Sequence, residues 1–112
     1  MTTGILSSEE NLLLTELKDG LNNLLGKRLM KLVLFGSKAR GDYDAESDID
    51  VAIIVGGLTR ELKNQILDKV AEVEFKYFIP ISTLILSDEE FGRLKRLERR
   101  IALDIEREGI PL

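Results

Sequence analysis

Five consecutive residues, Val51-Ala52-Ile53-Ile54-Val55, constrain this chain more than any other segment. The run is apolar and largely β-branched, and Ile49 extends it at the front. It reads as a buried strand, stopped by Gly56-Gly57. Two aspartates, Asp48 and Asp50, stand at its entrance. Side chains two residues apart on a strand point to the same face, so both carboxylates belong on one side of the sheet. Like charges at the margin of an apolar layer repel each other and are costly to desolvate. A divalent cation relieves both costs, which makes Asp-x-Asp a candidate metal clamp. Taken alone, such a pair reads more plainly as a solvated strand entrance.

The flanking sequence supplies the remaining elements. Ser7 and Glu10 form a capping-box pattern, Leu13, Leu17, Leu21, Leu24 and Leu25 follow at helical spacing, and Gly26 marks the stop. Lys31–Phe35 predicts a short strand ending at Gly36, with a polar loop from Ser37 to Ser47. Thr59 caps a second helix with Leu62, Ile66, Val70 and Val73 on its apolar face. Ile79–Leu86 predicts a third strand, with Pro80 near its start where a missing amide is tolerated. Ser87 with Glu90 opens a last helix carrying Leu94, Leu97, Ile101 and Ile105 on one face, and Gly109 and Pro111 close it. The expected fold is α/β (α+β): a single domain, residues 1–112, with a small mixed sheet flanked by helices.

Composition narrows the chemistry. At 112 residues one modest core is feasible, burying roughly 60–70% of the unfolded chain's surface. There is no cysteine and no histidine, which removes disulfides, thiolate or imidazole metal sites, Ser-His-Asp triads and every histidine base. Any metal must be held by oxygen, which suits magnesium, manganese or calcium. With 16 basic against 20 acidic residues the net charge is −4, so no direct nucleic-acid partner is expected. No leader pattern or long apolar stretch stands out, so no membrane association is expected and the cytoplasm is the expected location.

Gly36 and Ser37 give the acid pair a context. A glycine directly after an apolar strand lets the backbone turn and a ligand approach closely. Ser37 offers a hydroxyl and an amide, while Lys38 and Arg40 supply positive charge. A helical turn over residues 37–41 would present its amino end to a bound phosphate. If the strands on either side of the loop pair antiparallel, Ser37 and Asp48 converge across it. Two rival motifs fail. Gly36 and Gly41 have Walker A spacing, but Asp42 and Tyr43 replace the required Lys and Ser/Thr. The acids Asp42, Asp44, Glu46, Asp48 and Asp50 suggest a calcium loop, yet Ser47 and Ile53 occupy its obligatory glycine and glutamate positions.

Gly36-Ser37, ten residues, then Asp48-Ile49-Asp50 resembles the signature of the polymerase-β-type nucleotidyltransferase superfamily. The wording GSKARGDYDAESDIDVAIIV is similar to the MNT group, the minimal nucleotidyltransferases, and the ending REGIPL resembles theirs. The resemblance implies a polymerase-β palm-like fold. It further implies Mg²⁺- or Mn²⁺-assisted transfer of a nucleoside monophosphate, AMP expected, from a triphosphate to a hydroxyl. Gly36, Ser37, Lys38 and Arg40 would then hold the triphosphate of ATP, and Asp48 and Asp50 would be the catalytic metal ligands. Carboxylates, metal and a donor loop suit a reaction that needs positioning and charge neutralisation. MNT proteins are often encoded beside a small helical HEPN-domain toxin. The resemblance therefore implies a HEPN-type partner protein, an antitoxin role, and a hydroxyl of that partner as acceptor.

The sequence departs from the family in one place. Active members carry a third carboxylate on the next strand, in an apolar context, whereas the nearest residue here is Ser82. A serine needs an adjacent base to act at neutral pH. Glu72, Glu74, Asp88 and Glu89 lie nearby in sequence and read as solvated helix charges. The alternative function is thus a degenerate domain that binds nucleotide or occludes a partner, as an antitoxin or a regulatory module. The basic run Arg93, Lys95, Arg96, Arg99 and Arg100 reads as a solvated face balanced by Glu98, Asp104, Glu106 and Glu108. Tyr43 reads as an ordinary loop residue that could line the nucleotide pocket.

Overall fold

The computed structural model describes residues 6–40 and 48–112. Helix α1 (Ser8–Leu25) begins at the expected capping box, with Ser7 Oγ accepting the Glu10 amide and Glu10 accepting the Ser7 amide. Its leucines at positions 13, 17 and 21 are fully buried. A 3-10 turn (Gly26–Arg28) leads into β1 (Leu29–Phe35), which starts two residues before the expected strand and is irregular between Leu29 and Lys31. Then come α2 (Ser37–Arg40), β2 (Ile49–Val55), α3 (Arg60–Tyr77), β3 (Ile81–Ser87), α4 (Asp88–Arg96), α5 (Arg100–Glu108) and β4 (Ile110–Pro111).

The sheet order is β3-β2-β1-β4. β1 pairs antiparallel with β2 and with β4, while β2 pairs parallel with β3, so the sheet is mixed. The parallel pairing requires a crossover, which α3 provides. β2 is buried on both faces because its alternate residues enter two cores. Ile49, Val51, Ile53 and Val55 pack with Leu13, Leu17 and Leu21 of α1 and Ile66, Val70 and Val73 of α3. Ala52 and Ile54 pack with Val33, Phe91 of α4, and Ala102 and Ile105 of α5. This double burial explains an apolar run with no polar alternation.

Two expectations need correction. The helix expected after Ser87 is two helices, separated at Leu97–Arg99. Glu98 has φ +55°, its amide donates to the Lys95 carbonyl (3.0 Å), and the Arg99 amide donates to the Leu94 carbonyl (2.9 Å). These are the paired bonds of a Schellman stop, with glutamate where glycine is usual. The apolar face expected to run through Leu97 and Ile101 is therefore interrupted, and these residues are 58% and 37% exposed. The third strand begins at Ile81 rather than Ile79, after Pro80.

The chain end also does more than close a helix. Ile110 and Pro111 pair with Leu34 and Val33, and the Leu112 amide donates to the Leu32 carbonyl (2.9 Å). Pro111 is tolerated because β4 is an edge strand. Gly109 makes the approach possible: a Cβ there would run into the Val33 side chain and the Ile105 carbonyl.

Candidate functional site

Strand polarity gathers the site at one edge of the sheet. The end of β1 meets the beginning of β2, with Phe35 opposite Asp50, and the beginning of β3 lies alongside, with Ser82 beside Asp50. By alternation Phe35, Asp50 and Ser82 share the face of Val33, Ala52 and Leu84, the face that α4 and α5 cover further along. Asp48 is exposed and Asp50 half-buried at this margin. Both carboxylates thus sit where the second core layer meets solvent.

Gly36 follows β1 with φ +76°. The Asp50 carboxylate lies directly over it: a Cβ at position 36 would collide with Asp50 Oδ2. The glycine is required twice, for the left-handed backbone and for the space. The chain then turns through α2, where the Ala39 amide donates to the Gly36 carbonyl at 3.1 Å. The antiparallel pairing on which the expected meeting of Ser37 and Asp48 depends is present, and the contact described across it is between Gly36 and Asp50. The side chains of Ser37 and Arg40 lie outside the described residues, as do Tyr43 and the acids at positions 42, 44 and 46.

Ser82 stands where the third acid is expected. Its Oγ donates a long hydrogen bond to Asp48 Oδ2 (3.3 Å), so the hydroxyl joins the carboxylate pair without adding a charge. Among the described residues no three acidic side chains gather as a metal-binding group. Two carboxylates and a hydroxyl still fit magnesium, which commonly takes one or two carboxylates and completes its shell with substrate phosphate and water.

Two charged residues are engaged differently from their sequence reading. Lys38, expected to face phosphate, is only 2% exposed and its Nζ lies 2.7 Å from Glu10 Oε2 of α1. Burial pushes the Glu10 carboxyl up, but hydrogen bonds from Lys38 and the Ser7 amide, together with the Lys38 charge, outweigh it and hold the group below the usual glutamate range. Glu74, expected to be a solvated helix charge, accepts the Ile81 amide through Oε2 (2.8 Å) and so pins the start of β3 one residue from Ser82. Neither engagement carries a sequence signal: Lys38 meets a residue of a distant helix, and the bond of Glu74 across the α3–β3 connection matches no cap or turn pattern. Glu72 does pair at the surface, with Lys69 at 2.8 Å, and Lys95 of the basic run is balanced by Glu106 at 2.8 Å.

Known proteins are similar to this chain in sequence. A family model described as "Nucleotidyltransferase domain" matches residues 14–108. "Putative protein adenylyltransferase MJ0141" of Methanocaldococcus jannaschii is 40% identical over 74 residues, 65% of this chain and 75% of that protein. "Putative protein adenylyltransferase MJ0604" of the same organism is 38% identical over 80 residues, 69% of this chain and 76% of that protein. The crystal structure of a putative nucleotidyltransferase from Sulfolobus solfataricus aligns over 98% of this chain and 90% of that one, at 20% identity and a TM-score of 0.49. The family match spans most of the chain and includes the glycine turn, both aspartates and Ser82. This chain belongs to the nucleotidyltransferase domain family.

Proposed function

We propose that this protein transfers AMP from ATP to a hydroxyl of a partner protein, and that the transfer depends on Mg²⁺ or Mn²⁺. The observation that carries the reading is the contact of the Gly36 turn with the Asp50 carboxylate. A cation held at Asp50 would neutralise charge on phosphates bound at the Gly36 turn only if the two are neighbours, as they are here. In the transfer, the acceptor hydroxyl gives its proton to solvent, its oxygen bonds to the α-phosphorus, the bond from that phosphorus to the bridging oxygen of the β-phosphate breaks, and pyrophosphate leaves. Asp48 and Asp50 would hold the cation, which would supply charge neutralisation for the triphosphate and the leaving group. Gly36 lets the backbone approach the phosphates, and Ser37 and Arg40 donate to them. Ser82 orients Asp48 through its hydroxyl.

A protein acceptor is supported by the names of the two relatives, both called protein adenylyltransferases. It is also supported by Phe75 and Phe78, whose side chains are mostly exposed just ahead of Pro80 and Ser82. Exposed aromatic surface at the end of α3, the helix that leads into β3, suits a docking protein better than a small acceptor. The partner in this reading is a HEPN-type helical toxin, with this chain as its antitoxin. A second reading rests on Ser82: with no third carboxylate to take the acceptor's proton, the domain binds nucleotide and neutralises its partner by occlusion.

Labelled ATP with Mg²⁺ and the product of the neighbouring gene tests both readings. The wild type is compared with an Asp48→Asn/Asp50→Asn variant and with Ser82→Asp. Label transferred by the wild type and lost in the double variant supports catalysis. Transfer by Ser82→Asp alone supports the occlusion reading, with activity lost through that position. If no protein labels the partner and the wild type binds no triphosphate, both readings fail.

A further inference from the structure

We infer that the buried Glu10–Lys38 ion pair is a positioning device that fixes the Gly36–Ser37 turn for the triphosphate; this rests on the nucleotide site proposed above. α2 is four residues long, and a helix that short does not hold itself in place, because nucleation costs more than its few hydrogen bonds return. Something outside the turn must set its position. Lys38, the residue directly after Ser37, is buried and reaches across to Glu10 in the first turn of α1 at 2.7 Å.

Glu10 is itself fixed. Its Oε1 accepts the Ser7 amide at 2.9 Å, while Oε2 meets Lys38, so one carboxylate closes the α1 cap and anchors the turn. An apolar contact would hold the two elements together with no set direction. A buried, hydrogen-bonded ion pair fixes both distance and orientation, the register role best attested for such pairs. Lys38 then serves the phosphate site through the backbone it carries, with its ammonium directed at α1.

Calorimetric titration with Mg·ATP tests this on the wild type, Glu10→Gln, Lys38→Met and the double variant. Each is measured well below its own melting temperature and checked for native circular dichroism. Glutamine preserves an acceptor for the Ser7 amide, so the α1 cap is retained. The device predicts about tenfold or greater weakening in both single variants, since small misplacements of binding groups have large effects. The double variant should be no weaker than the worse single one, because the two side chains act as one unit; it also replaces the pair without leaving a lone buried charge if a single variant fails to fold. Wild-type affinity or tighter binding in Glu10→Gln, with weakening in Lys38→Met alone, overturns the device and makes Lys38 a direct phosphate ligand. Lowered melting temperatures with unchanged affinity in all three variants also overturn it, leaving a purely structural pair. Absence of binding by the wild type overturns the nucleotide reading itself, and the device with it.

Discussion

Gly36 lies against the side chain it must accommodate. Its φ of +76° costs an L-residue about 1–2 kcal/mol, and a methyl group there would meet Asp50 Oδ2 as well. Gly36→Ala should therefore lower stability by about 1–3 kcal/mol in urea denaturation and displace the Asp50 carboxylate. Mn²⁺ and Mg·ATP affinity should fall with it, by about tenfold or more in calorimetry. An unchanged metal affinity would show that Asp50 is free to reposition. At this scale the sequence was informative where the chemistry is local. The shared face of Asp48 and Asp50 and the turn at Gly36 were readable from strand alternation and residue type, while the Ser82 departure was readable only through the family resemblance. The partners of Lys38 and Glu74 were not: Lys38 meets Glu10 only when α2 lies against α1, and Glu74 accepts the Ile81 amide across the α3–β3 connection, a pairing that no cap or motif pattern signals.

Elements followed their local signals wherever those signals were strong. The bounds of β2 and the caps at Ser7, Thr59 and Ser87 match the sequence reading, because β-branched runs and side-chain caps act within a few residues. The stop between α4 and α5 was hidden because a glutamate occupies the left-handed position that glycine normally advertises. β4 was hidden because two residues containing a proline carry almost no strand propensity; pairing with β1 makes it a strand. The α4–α5 stop yields a stability test. Glu98→Gly removes the penalty of a side chain at φ +55° without touching the core, and should raise stability by about 1 kcal/mol. A rise in melting temperature is the expected result. A fall would mean that the Glu98 side chain contributes more than its backbone strain costs.

Among the described residues of the whole molecule, Glu10, Glu16, Glu90 and Glu106 are held below the ordinary glutamate value of 4.5. Glu16 is lowered chiefly by its hydrogen bond from Lys76, Glu90 by the Ser87 amide, and Glu106 by Lys95. In Glu10 burial opposes the shift, and Lys38 and the Ser7 amide overcome it. A depressed folded-state value means the native state resists protonation. The resulting stability is complete above pH 4.5 and is lost as the pH falls through the lowered values. Denaturation midpoints should fall steadily from about pH 5 to about pH 3, and Glu10→Gln should start lower and lose less over that interval. Equal losses in the two proteins would mean that Glu10 titrates alike folded and unfolded. β2, like β1, has its opposite faces in different helical layers, so the carboxylates at its entrance inherit the rigidity of each.

The double duty of Glu10 has a reciprocal side. Coupling between two sites acts equally in both directions. If the first turn of α1 steadies a phosphate-binding segment, occupancy of that segment must quieten the first turn of α1 in return. Amide hydrogen exchange at Ser8–Asn11 should slow when Mg·ATP is added, with no change at the start of α5, whose N-cap Arg99 makes no side-chain cap bond.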